Sequence, residues 1–239
     1  MSLTAIVSAM HEEQAAVLGG MAEPQRVPVA GREFWRGRLE GHEVVVVLAR
    51  IGKVAAATTA AVLASRFEVD RVIFTGVAGG LGERVRRGDV VVAREFLQHD
   101  MDASPLFARH EVPLYGRSRF VADSSLAEAL AAAAREALAD VLPDARVHDG
   151  LVISGDRFVS TTGEARALQQ ALPDALAVEM EGAAFAQVCH DFGVPFAAVR
   201  TVSDRADDEA HGDFVDFIRT VASPASAAII GALLRRLPR

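Results

Sequence analysis

The chain has 239 residues, 51% of them hydrophobic and 24% charged, enough to bury a sizeable core without help from metals or disulfides. Its 25 Lys and Arg against 32 Asp and Glu give a net charge of −7, which argues against nucleic acid as the main partner, since a polyanion calls for a basic surface. Cys189 is the only cysteine, so a disulfide framework and Cys-cluster metal sites are excluded and a reducing cytoplasm fits.

Residues 1–10 carry no basic leader and read as a strand, with 5–9 buried, rather than as a signal peptide. Residues 34–39 and 44–49 flank the turn-like Glu40, Gly41 and His42, a spacing that predicts a hairpin. A helix is predicted over 54–66, and buried strands over 71–75 and 89–93, with a basic turn at 82–88 between them. The apolar runs 44–49 and 54–64 are shorter than the roughly 18 residues of a membrane span. The Ala- and Leu-rich stretch 124–139, polar on one side, predicts a helix. Strand 149–154, helix 162–172, strand 176–179, helix 182–191 and strand 195–202 follow, and the tail 214–237 reads as helix interrupted or restarted at Ser223 and Pro224. Strand-length and helix-length segments that alternate in this way mark an α/β protein. No linker or repeat divides residues 1–239, so one domain is expected. The segment 100–120 lacks periodicity, and a loop of that length is either functional or a subunit contact.

Several clusters could carry chemistry. The run Thr75-Gly76-Val77-Ala78-Gly79-Gly80 follows a strand and reads either as a tight turn or as backbone offered to a ligand; it matches neither a dinucleotide fingerprint nor a P-loop. Glu179 and Glu181 flank Met180 at a strand end, on one face if the strand continues. Arg200 lies in an otherwise apolar strand and must be matched there by an acid or a ligand. Ser203 and Asp204 follow at the carboxyl end, where α/β sheets place ligands. Glu12 and Glu13 occupy a similar end after Met10. His99, Asp100 and Asp102 match no standard metal spacing and read as loop polars. His11 and His211 lack an evident partner, and Cys189 with His190 reads as core plus surface.

Together, Ala9-Met10-His11-Glu12-Glu13, the glycine run through Leu81, Gly88 to Val92, Ser154 to Val159, Val178-Glu179-Met180-Glu181-Gly182-Ala183 and Val199-Arg200-Thr201-Val202-Ser203-Asp204 resemble the nucleoside phosphorylase and nucleosidase superfamily. Within it they are most similar to the 5′-methylthioadenosine/S-adenosylhomocysteine nucleosidases. The resemblance implies a three-layer α/β/α sandwich around a mixed, partly barrel-like sheet, assembled as a homodimer, and hydrolysis of an adenine N-glycosidic bond without metal or cofactor. It assigns Asp204 to N7 of the leaving adenine, Glu13 to the attacking water, and Arg200 to ordering that water and the carboxylates around it. Glu179, Met180 and Glu181 fall on the ribose side. Phe158 would stack on adenine, with Val159 and Ser203 at its edge. Val77, Ala78 and Gly79 would wall the pocket, Met10 and Phe214 would line the sugar and alkylthio side, and the partner's 100–120 loop would close the 5′ end. Val77 stands where these nucleosidases usually carry serine, so positioning of the water falls to Glu13, Arg200 and backbone. Three alternatives remain: a phosphorylase, which would need a phosphate-binding site that the acidic Met10 to Glu13 segment does not favour; a futalosine-type nucleosidase; and a non-catalytic nucleoside binder.

Overall fold

The computed structural model describes residues 2–204 and 214–238. In chain order the elements are β1 (Leu3–Ser8), α1 (His11–Leu18), β2 (Ala22–Val29), β3 (Arg32–Leu39), β4 (His42–Leu48), α2 (Lys53–Val62), β5 (Arg71–Gly80) and β6 (Val90–Gln98). These are followed by β7 (Arg119–Val121), α3 (Ser124–Val141), β8 (Val147–Ser154), α4 (Thr162–Ala171), β9 (Ala175–Glu179), α5 (Gly182–Phe192), β10 (Phe196–Asp204), α6 (Phe214–Phe217) and α7 (Ser223–Arg236).

Strands buried on both faces read as unbroken apolar runs, because neither face meets water. β1 and β10 are buried along their full length. Among the described residues, one sheet runs in the order β10-β6-β8-β9-β5-β1-β4-β3-β2, with β7 beside β6. β10 also pairs with β5, so β5, β10, β6, β8 and β9 close into a ring, while β1, β4, β3 and β2 fan out from β5 as open sheet. Parallel pairs (β1 with β4 and β5, β5 with β10, β8 with β6 and β9) are mixed with antiparallel ones (β5 with β9, β6 with β10, β2 with β3, β3 with β4). Helices pack around this sheet, α1 and α3 against α7 and α2 against α5. This is the expected mixed, partly barrel-like α/β architecture.

The structure corrects several sequence expectations. The glycine run 75–80 is not a turn: β5 continues through Gly80, held from Val72 to Gly79 by β10. β2, with two prolines, was not foreseen. It is an edge strand, where missing N–H donors are tolerated. The C-terminal helical stretch does not restart at Ser223, because residues 218–222 form a π-helical turn that keeps helical dihedrals through Ala222 and Ser223. The Ser223 hydroxyl is buried without a partner instead of capping. By length and composition the stretch Phe214–Arg236 could cross a membrane, but 61% of its most apolar window is buried within the fold, as in a core helix.

Candidate active site

β5 has a different neighbour at each end of one edge. Arg71 to Phe74 pair with β1, and Gly79 and Gly80 pair with β9, so among the described residues Thr75 to Ala78 have no strand on that side. A cavity occupies this gap, walled by Gly76, Val77, Ala78 and Gly79 of β5. The ends of other elements complete it: Ala9 and Met10 after β1, Ile51 before α2, Arg157 to Val159 after β8, Val178 to Glu181 from β9, Arg200, Ser203 and Asp204 of β10, and Phe214 at the start of α6. Every site residue read from the sequence therefore borders this cavity except Glu13, which stands just behind its wall.

Arg200 is 1% exposed and its guanidinium has several partners. Nη2 meets Glu179 Oε2 at 2.8 Å, Nη1 donates to the Phe74 and Val199 carbonyls at 3.1 Å each, and the group lies 4.3 Å from the centre of the Phe74 ring. The acid that matches Arg200 is thus Glu179. Its carboxylate also accepts from the Ser154 hydroxyl and from the Glu181 and Gly182 amides. A buried pair satisfied in this way avoids the cost of an isolated charge.

The two remaining glutamates are surrounded differently. Glu13, in the first turn of α1, is fully buried; its Oε2 accepts from the Met10 amide at 3.1 Å, and its Oε1 has no hydrogen-bond partner. Burial pushes its carboxyl up to about 7, opposed only in part by the Met10 amide and the Arg200 charge. Between Glu13 and the cavity lies Gly76, where a Cβ would come within 3.5 Å of Glu13 Oε1 and 3.7 Å of Arg200 Cζ. Gly76 thus presents bare backbone both to the cavity and to this buried acid. Glu181 Oε1 accepts from the Gly52 amide at 2.9 Å. Burial, and then the neighbouring Glu179 charge, push Glu181 up to about 8.

At the end of β10, Ser203 Oγ lies 2.6 Å from Asp204 Oδ2 and 3.3 Å from the Ala78 carbonyl, which fixes the acid against β5. Phe158, 42% exposed, meets Phe214 edge-on with ring centres 6.0 Å apart, an aromatic pair suited to a flat ligand. Val77 lines the wall without a hydroxyl. The sequence reading missed Ile51 and the helix-start amide of Gly52 as parts of the site, for which a glycine ahead of a helix was the available signal; Gly76 entered it only as a member of the glycine run. Asp100 pairs with Lys53 at 2.7 Å, and no group of three or more His, Cys, Asp or Glu among the described residues is placed to hold a metal. His211 lies outside the described residues. Cys189 is buried, its thiol pushed up to about 12, and His190 is exposed.

Residues 4–235 match the phosphorylase superfamily. The 5′-methylthioadenosine/S-adenosylhomocysteine nucleosidase of Geobacillus thermodenitrificans is 39% identical over 230 residues, 96% of this chain and 95% of its own. The chain belongs to this nucleosidase family of the phosphorylase superfamily. Solved nucleosidase structures agree with this: the Neisseria meningitidis enzyme in complex with methylthio-immucillin-A superposes with a TM-score of 0.91 at 36% identity, covering 99% of this chain and all of that one. Futalosine hydrolase of Helicobacter pylori is also similar, with a TM-score of 0.87, 31% identity and coverage of 99% and 98%.

Glu179→Gln leaves Arg200 buried without its counter-charge and should cost about 3–5 kcal/mol in urea unfolding at pH 7; a loss below about 1 kcal/mol would show that the pair is dispensable. Because Glu13 ionises near 7 when folded and at its ordinary lower value when unfolded, its burial weakens the fold as pH rises through that interval. Glu13→Gln should therefore gain about 2–3 kcal/mol on the unsubstituted protein between pH 5 and pH 8, and parallel stability curves would refute the raised carboxyl.

Proposed function

We propose that the chain hydrolyses the N-glycosidic bond of 5′-methylthioadenosine and S-adenosylhomocysteine, releasing adenine and a 5-thio-substituted ribose. The observation that carries this reading is the presence of two acids in unlike surroundings at one cavity: Asp204, held by Ser203 on the wall, and Glu13, buried behind Gly76 with one oxygen unpartnered. Breaking the bond leaves positive charge on the sugar and negative charge on the purine, so the reaction needs an acid at the base and a proton acceptor for water at the sugar. Asp204 gives its proton to N7 as the C1′–N9 bond breaks. Water attacks C1′, and its proton passes to Glu13, whose raised carboxyl suits a base working near neutrality. Glu181 and the Met180 backbone hold the ribose hydroxyls, Phe158 stacks on adenine with Val159 at its edge, and Met10 and Phe214 face the sugar and alkylthio group.

The cavity's cations favour water over phosphate. Among the described residues the arginines lining the cavity are Arg200, engaged with Glu179 and two carbonyls, and Arg157, paired with Glu164, so each has a partner in the chain. The similarity to futalosine hydrolase supports a second reading, in which the 5′ substituent differs and the same bond is cut.

The reading extends to a homodimer in the cytoplasm, each copy a single unit over 1–239. The exposed apolar side chains Leu106 (84%) and Leu114 (92%) in the 100–120 loop, and Ile51 (56%) and Val54 (79%) around the start of α2, support a surface that a second copy covers.

Incubation with 5′-methylthioadenosine, with and without phosphate, should release adenine at the same rate in both. Absence of adenine would reject the reading, and a phosphate-dependent sugar 1-phosphate would move it to phosphorolysis. Asp204→Asn should lower kcat by about two to four powers of ten with the fold intact. In Gly76→Ala the new methyl meets its neighbours at ordinary contact distances of 3.5–3.7 Å, so the protein should fold normally yet lose at least about 100-fold in kcat, because the methyl fills the route from Glu13 to the sugar. Full activity in that variant would show that the water reaches Glu13 another way.

A further inference from the structure

At the start of α2 the first backbone N–H groups have no partner within the helix, and the positive end of its dipole collects there. In this chain the amides of Gly52 and Lys53 serve two acids that stand just beyond two strands, Glu181 after β9 and Asp156 after β8. Gly52 N donates to Glu181 at 2.9 Å and Lys53 N to Asp156 Oδ1 at 2.7 Å. Gly52 has φ +95°, and a Cβ there would lie 3.1 Å from Asp156 Oδ1, so both the conformation and the close approach call for glycine. The Lys53 side chain turns back over the same point. Its Nζ reaches Asp100 Oδ1 at 2.7 Å and Gln98 Oε1 at 3.1 Å, and Asp100 Oδ2 accepts the Asp156 amide at 2.9 Å.

Lys53, Asp100 and Asp156 thus form a closed ring that ties the start of α2 to the segments following β6 and β8. The ion pair in it is partly shielded, with side-chain exposures of 17% and 32%, and its place in a closed ring sets it apart from isolated surface pairs, which contribute little. Burial works against the Asp100 charge, but the Lys53 ammonium and the Asp156 amide outweigh it and hold the carboxyl below its usual range.

The ring links segments that adjoin two parts of the ligand site. On one side Asp156 leads directly into Phe158 and Val159, and on the other Lys53 adjoins Gly52, which holds Glu181. We propose that Lys53 and Asp100 are positioning residues: without touching substrate, their ring sets the spacing between the base-stacking segment 156–159 and the sugar-binding Glu181. The proposal rests on the hydrolase reading. Because the spacing acts on the bound nucleoside before and during reaction alike, its loss weakens binding more than chemistry and shows in KM rather than kcat.

The test uses Lys53→Cys and Asp100→Asn in the full-length protein. KM for 5′-methylthioadenosine should rise about ten-fold or more while kcat stays within about three-fold, and amide exchange of residues 155–160 should quicken while that of α3 does not. Aminoethylation of the Lys53→Cys thiol rebuilds an ammonium of nearly the original length and should restore KM; the native Cys189 is buried with its thiol pushed up to about 12 and does not compete. Faster exchange with unchanged KM, or a raised KM that aminoethylation does not restore, would overturn the proposal. If the unsubstituted protein releases no adenine, the hydrolase reading is what has failed, and the dissociation constant for adenosine, measured by equilibrium dialysis, replaces KM in deciding on the ring.

Discussion

A guanidinium in the middle of a nine-residue strand that is buried throughout has to be neutralised where it stands, and Glu179 does this for Arg200 at 2.8 Å. The other charges of the site follow from that pairing. Once Glu179 is committed to Arg200 and to the Glu181 and Gly182 amides, the carboxylate beside it at Glu181 meets burial and a like charge together and is pushed up to about 8. Glu13 receives only part of the Arg200 field and is pushed up to about 7. Three glutamates, two lining the pocket and one behind its wall, therefore have three different surroundings, and division of roles among like groups is a mark of acid–base sites.

The backbone makes the room for this chemistry. β5 passes from β1 to β9 along one edge and, among the described residues, leaves Thr75 to Ala78 without a strand partner on that edge. A cavity at such a change of neighbours is where α/β sheets bind ligands, and small residues on its wall let groups from behind reach it. Gly76 has a definite part in this, since a side chain there would come into contact with Glu13 and Arg200. The far side of the site is set by the start of helix α2, where the Gly52 and Lys53 amides bind Glu181 and Asp156, acids that follow β9 and β8.

Much of this was legible in the sequence, for physical reasons. The buried strands announce themselves as apolar runs, and α3 as a helix with one apolar face. Arg200 could be recognised as a charge in need of a partner, because an arginine inside Phe196 to Val202 has no other way to persist. Which acid would answer was not legible, since that depends on β9 running back along β5. β2 escaped because an edge strand needs no apolar run and tolerates proline. The glycine run was misread as a turn because glycine signals close approach and reversal alike, and the two differ only in whether β10 continues alongside. The Lys53 ring was invisible for the same reason, its members being 47 and 56 residues apart along the chain.

The central claim is that the Arg200–Glu179 pair leaves Glu13 as a buried acid that titrates near neutrality. Carbon-13 NMR of protein labelled at the glutamate side-chain carboxyl, with the Glu13 signal assigned by its loss in Glu13→Gln, measures this directly. The account predicts a Glu13 titration midpoint near 7, well above that of exposed glutamates. A midpoint in the ordinary glutamate range, near 4.5, would contradict it, because the acid would then be charged and solvated across the working pH and the burial behind Gly76 would not be shaping its chemistry.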